Sequence, residues 1–322
     1  MSSRPILLLC CAVAAALGWA KPDPPGPATV HVVRSANILV PQGIFAPHIL
    51  YPEGRVDFDV VERLVDRAMM ELTGQPADVA WQEFFSPNDT VGLMIETARY
   101  PVQAATVEVI IDRLVGIGVS PAKIIVFSGD ERDLFAAGYN INRGPAGVRV
   151  LGTESEGFRG GMSRIVTDYC DAIINLGTLR TDPELGMAGC VANALASVPN
   201  VKRVALRQDP ATVAEVAAHP ALRGKVRLNL LEAYLPLLEM VGQARTTWQY
   251  KGLLAGTDPV AVDTVGLQIL QGCRRAHKGA DWPLPAAPDY LQAAQESYRL
   301  GQSRAASITA KLWGPDEDSF LP

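Results

Sequence analysis

The sequence predicts an α/β protein built on a mostly parallel mixed sheet with helices on both faces, and three observations carry that expectation. Short apolar runs alternate with segments of helical periodicity along most of the chain. Two of those runs, ending near Ile95 and beginning near Lys123, are separated by a helix-bearing crossover, which implies parallel pairing. The 322 residues are 48% hydrophobic and 20% charged, enough to bury a large core and unlike a disordered chain. This length is at the upper end for one core, which leaves room for two lobes.

Taken in order, residues 29–34 alternate apolar and polar like a first strand. Phe58, Val61, Leu64, Val65, Ala68, Met69 and Leu72 recur at helical spacing, with Asp57 as cap and Gly74 as stop. Residues 91–95 form a short buried strand, 107–114 a helix closed by glycines, and 123–127 the next strand. Strands are expected over 148–151, 172–176, 226–231 and 252–255. Residues 186–196 read as a helix of small residues able to pack closely on a sheet, and 211–218 as a helix stopped by His219-Pro220. A helix over 259–273 has Pro259 in its first turn and Asp258 as cap, and a helix over 289–300 precedes a last strand over 307–313.

The N-terminus carries Arg4, then an apolar stretch over 6–18, then Gly18-Trp19-Ala20 with small residues at −3 and −1, which reads as a signal peptide over 1–20. A membrane anchor is the alternative, but the stretch is shorter than the ~18–20 residues that span a bilayer. A Pro-rich linker over 21–28 follows, then the α/β domain over 29–315 and an acidic tail over 316–322. The expected location is therefore periplasmic or extracellular, with no membrane span after cleavage. Lipidation at Cys10 or Cys11 is disfavoured because no small residue stands before either. Cys170, Cys190 and Cys273 remain, with no C-x-x-C pair, and the four histidines show no helical pairing, so neither an iron-sulfur cluster nor a histidine-rich metal centre is expected. A formal charge of −5 argues against nucleic acid as partner and makes any attraction for an anion local.

In an open α/β sheet, ligands bind beyond the strand carboxyl ends. Three segments are expected there. Ser128-Gly129-Asp130 suits an anion at a helix N-terminus, or is simply a capped turn. Asn175 to Asp182 brings Arg180, whose fork fits a carboxylate or phosphate, and Asp182, which either orients it or pairs with it. In Gly256 to Asp263, Asp258 is a helix cap, whereas Asp263 lies on an apolar helix face and needs a partner: Arg180, Lys251 or a cation.

Leu72-Thr73-Gly74 to Ala80-Trp81, Asp89-Thr90-Val91-Gly92, Ile124 to Phe127 with Leu134 to Tyr139, Asp171 to Asn175, and above all Thr257-Asp258-Pro259-Val260-Ala261-Val262-Asp263 resemble the domain of unknown function 362 family, over roughly residues 57–313. The resemblance implies a fold more than an activity. Some members are redox-linked through an appended four-cysteine iron-sulfur module, which this chain lacks. It also departs from the family pattern. Met94 and Glu96 stand where many members carry Lys and Asn, Ser128 and Gly129 where they carry Asp-Arg, and Leu179 to Asp182 with Ala192-Asn193 where Leu-Lys-x-His and Lys-Asn are usual.

The resulting expectation is an exported binder of a small anionic ligand, using Arg180, Asn175, Asn193, Ser128, Asp258 and Asp263, with Glu96 or Asp182 as acid or base should it catalyse. No cofactor is specified. The alternatives are a redox-linked or metal-assisted enzyme with a separate electron carrier, and an interaction protein using Asp316-Glu317-Asp318 or the turn Asp281-Trp282-Pro283.

Overall fold

The computed structural model describes residues 23–40, 55–98, 100–207 and 209–321; the expected signal peptide and the first two linker residues lie outside the described residues. The main sheet has ten strands: β1 (Ala28–Arg34), β2 (Val91–Ile95), β3 (Ile124–Ser128), β4 (Arg149–Gly152), β5 (Ala172–Asp182), β6 (Gly186–Ala188), β7 (Val226–Val241), β8 (Ala244–Thr247), β9 (Gly252–Gly256) and β10 (Ile308–Trp313). Their order is β10-β1-β9-β7-β5-β2-β3-β4, with β6 beside β5 and β8 beside β7. The run β7-β5-β2-β3-β4 is parallel, as is β1 with β10, while β9 runs antiparallel to both β7 and β1.

Helices cover both faces. On one lie α1 (Phe58–Thr73) and α2 (Ala104–Gly116), packed on Leu93, Ile174, Leu176, Leu228 and Leu230. Asp57 caps α1 through Val60 N at 3.1 Å, and Gly74 closes it at φ 70°, a left-handed turn that glycine adopts without strain. On the other face lie the short α3 (Cys190–Asn193), the long α4 (Pro259–Lys278) and α5 (Tyr290–Glu296). β2 and β3 are buried along their whole length, as interior parallel strands must be, which is why they read as continuous apolar runs.

Two expectations change. Residues 186–196 are not one helix: Gly186, Met187 and Ala188 pair antiparallel with Asp182, Thr181 and Arg180, and helix begins only at Cys190. Gly186 sits at φ 76°, and a Cβ there would overlap Ala286 O, a place open only to glycine, so tertiary contact overrides the helical composition. β5 and β7 also run well beyond their expected ends, so Arg180 and Asp182 stand on a strand and not in a loop.

Both ends of the described residues are held. Gln302 Nε2 donates to Pro25 O and Gly26 O, so the described part of the Pro-rich segment lies against the domain. Arg34 donates to Pro315 O and Glu317 O, and the Tyr250 hydroxyl to Ser319 O, which fixes the acidic tail to β1 and β9. The Trp282 turn is likewise engaged, with Arg274 donating to Trp282 O and stacked 4.0 Å from its ring. Cys170, Cys190 and Cys273 are free and buried, behaving as small apolar side chains.

Candidate functional site

The expected site residues fall into three separate groups. At the carboxyl ends of β2 and β5, Arg180 is 1% exposed and donates to Asp182 at 2.7 Å and to Glu96 at 3.2 Å. Burial works against its charge, but the two carboxylates outweigh that and hold its pKa above the ordinary value. Asp182 also accepts from Glu184 N and Leu185 N, and Glu96 from Ala98 N. The guanidinium is thus answered twice from within the fold. Ser128, the last residue of β3, accepts from the Thr97 hydroxyl at 2.7 Å, while Asp130 caps the following helix through Arg132 N. The capped-turn reading of that segment matches the geometry.

The second group surrounds α3. Asp263, fully buried in α4, accepts from Cys190 N at 2.6 Å and Val191 N at 2.9 Å. Its partners are therefore backbone N–H groups, and it forms no ion pair with Arg180 or Lys251. Burial lifts its carboxyl to about 7 against the pull of those two N–H groups. Gly189 lets the carboxylate approach, because a Cβ there would overlap Asp263 Oδ1. Asp258 caps α4 through Val260 N and Ala261 N, as expected, and its second oxygen accepts from Gln302 N at 2.8 Å.

The third group is a row of amides across the sheet. Asn193 donates to Asn175 Oδ1 at 2.8 Å, Asn175 donates to Asn229 Oδ1 at 3.1 Å, and Asn229 donates to Thr257 O at 3.1 Å. Met94, Asn175, Asn229 and Gly256 are register neighbours on β2, β5, β7 and β9, so the row lies at one level of the sheet. Asn229 was not among the expected residues; its signal was only a polar residue inside the apolar run 226–231.

Two cavities adjoin this row. An inner one of about 180 Å³ is walled by Met94, Asn175, Cys190, Asn229 and Thr257, by apolar residues, and at one edge by Arg223. An outer cleft of about 700 Å³ shares Arg223, Thr257 and Leu300 with it and is rimmed by His31, Glu71, Asp258, Arg299 and Lys311. Thr257 follows the carboxyl end of β9, which is antiparallel to β7, and Ala28 and Thr29 begin β1. The cleft therefore opens at the amino ends of the parallel strands. Glu96, Arg180 and Asp182 lie at the opposite end and line neither cavity.

Glu232 was also missed, since a single Glu in an apolar strand carries no motif. It is 3% exposed on β7, and its carboxylate meets Gln103 N at the start of α2. Burial raises it to about 8 from 4.5, only partly offset by Thr106 and Gln103 N. A raised folded-state pKa favours the native state below about 4.5, and that advantage is lost as pH rises through about 8. Glu232→Gln keeps an acceptor for Gln103 N without ionising. Its urea midpoint is expected to match wild type at pH 4 and exceed it at pH 9.

Among the described residues, no group of three or more His, Cys, Asp and Glu side chains is placed to hold a metal, and no helix is long and apolar enough to cross a membrane. No curated protein matches the chain. A solved crystal structure of a Thermotoga maritima protein is similar at 9% identity with a TM-score of 0.37, covering 70% of this chain. The match spans 60% of that protein's length. Residues 160–268 match the family described as Domain of unknown function (DUF362), which takes in β5, α3 and the amide row, and ends within α4.

Proposed function

We propose that the protein is an exported binder of a small molecule, whose uncharged end enters the inner cavity beside Asn175 and Asn229. One observation carries this reading: a space of about 180 Å³ lies on the amide row and shares Arg223, Thr257 and Leu300 with a wider polar cleft. That is roughly the volume of six waters at ~30 Å³ each, room for a few heavy atoms. Its walls contain no carboxylate and no imidazole. Cys190 donates its thiol to Leu230 O and burial pushes its pKa well up, so it supplies no thiolate. Amides that orient a ligand, with no group to move a proton, suit binding and not turnover. Export rests on the composition of residues 1–20.

The acid–base alternative through Glu96 or Asp182 draws on their shared contact with Arg180, but both are spent on that guanidinium and on backbone N–H groups. The test uses neutral probes, acetamide and propionamide, followed by ligand-observed NMR. Wild type is expected to bind at least one of them saturably. Ala217→Leu, which grows a half-buried wall residue into the cavity, is expected to lose that binding at an unchanged melting temperature. Equal binding by the variant, or none by wild type, overturns the reading.

A further inference from the structure

Arg180 was the residue expected to hold an anion, and the structure has already neutralised it. The outer cleft offers a different pair. His31 on β1 and Lys311 on β10 are register partners in adjacent parallel strands, and both line the cleft. Lys311 is exposed, and no carboxylate lies at ion-pair distance from it among the described residues. His31 is 5% exposed, and its Nδ1 is buried without a hydrogen-bond partner.

The ring's state follows from its surroundings. Burial, then the neighbouring Lys311, lower the His31 pKa, with Glu71 opposing, so the imidazole is neutral at pH 7 with a single N–H. A buried orphan lone pair costs less than a buried orphan N–H. The proton therefore belongs on Nε2, and Nδ1 is the bare nitrogen. That leaves a neutral donor beside a cation.

The other charges on the cleft are largely committed. Glu71 is paired with Arg67, and Asp258 accepts three backbone N–H bonds. Arg223 donates to the carbonyls of Tyr298 and Arg299, holding its charge at the threshold between the two cavities. Arg299 adds a second cation on the same rim, with Asp23 the remaining acid. The cleft thus favours an oxyanion where the inner cavity favours a neutral group.

We propose that the outer cleft binds an oxyanion group, carboxylate or phosphate, between Lys311 and His31, and that this group is the charged end of a molecule whose neutral end fills the inner cavity. The first half stands on the cleft alone; the second rests on the binding reading above. The probes are inorganic phosphate, acetate and butyrate, titrated into the full chain by calorimetry at low ionic strength. Wild type is expected to bind phosphate or acetate, and whichever binds identifies the oxyanion class. Lys311→Met and His31→Gln are expected to weaken that binding at least tenfold. Lys311 is exposed, so its replacement tests the site even if the strand residue His31 proves needed for folding. Butyrate is expected to bind more tightly than acetate in wild type and to lose that advantage in Ala217→Leu, which keeps acetate binding. No oxyanion binding by wild type, or equal affinity in Lys311→Met, overturns the oxyanion site whatever the amide probes show. Butyrate binding no tighter than acetate in wild type overturns only the bridging of the two cavities.

Discussion

Replacing Arg180 with methionine is expected to cost about 3–5 kcal/mol of folding stability, because it strips the counter-charge from two carboxylates within the fold. Asp182 has no side-chain exposure and Glu96 only 15%, so water cannot take over the role of the guanidinium. Urea denaturation at pH 7 measures the loss. Neutralising the partners as well, in Arg180→Met with Glu96→Gln and Asp182→Asn, is expected to recover most of it, since the penalty lies in the stranded charges more than in the missing contacts. Arg180→Lys is expected to fall between, as one ammonium cannot span both carboxylates with a planar fork. Failure of the triple variant to recover would mean that Arg180 acts by packing volume. This cluster is a structural joint between β2 and β5, and its variants are expected to leave acetate and acetamide binding unchanged.

Asp263→Ala is expected to cost about 2–6 kcal/mol, from two buried N–H groups left without an acceptor at about 1–3 kcal/mol each. Cys190 N and Val191 N open α3, and α3 carries Asn193, the first amide of the row beneath the inner cavity. Stability and binding should therefore fall together, unlike the Arg180 case. The pH dependence gives a second readout. The Asp263 carboxyl is raised from 3.8 to about 7, so the stability it adds is fully present below about 3.8 and is lost as pH rises through about 7. Asp263→Ala removes that part of the slope between pH 4 and 7, and denaturation series at pH 5 and 8 measure it. Asp263→Asn is expected to be intermediate, keeping one acceptor oxygen but turning an amide N–H toward the second backbone donor. An unchanged acetamide affinity in a folded Asp263→Ala protein would detach α3 from the cavity.

Local features of the fold were legible wherever one residue type decides one geometry. Asp57 and Gly74 bound α1, Asp258 and Pro259 start α4, and the apolar runs at 91–95 and 124–128 are interior parallel strands. Elements set by distant partners were not legible. The helix-like composition of 186–196 yields to pairing with Arg180–Asp182 and to the carboxylate of Asp263, two contacts that no window of neighbouring residues contains. For the same reason, the acidic residue on an apolar helix face announces its need for a partner, while the partners themselves, two backbone N–H groups 73 and 72 residues away, leave no local sign.

The sequence by itself determined the fold class, the capped helices, a resemblance to the family whose model matches residues 160–268, and the list of polar residues that burial makes consequential. Only the tertiary structure decided what those residues do. It spent Arg180 on Glu96 and Asp182, turned Asp263 inward, joined Asn175 to an unforeseen Asn229, and opened the outer cleft at the amino ends of the parallel strands. The physical reason is that a cap or a strand is a balance struck among neighbours in the chain, whereas the fate of a buried charge depends on which opposite charge or N–H the fold brings to it from far away.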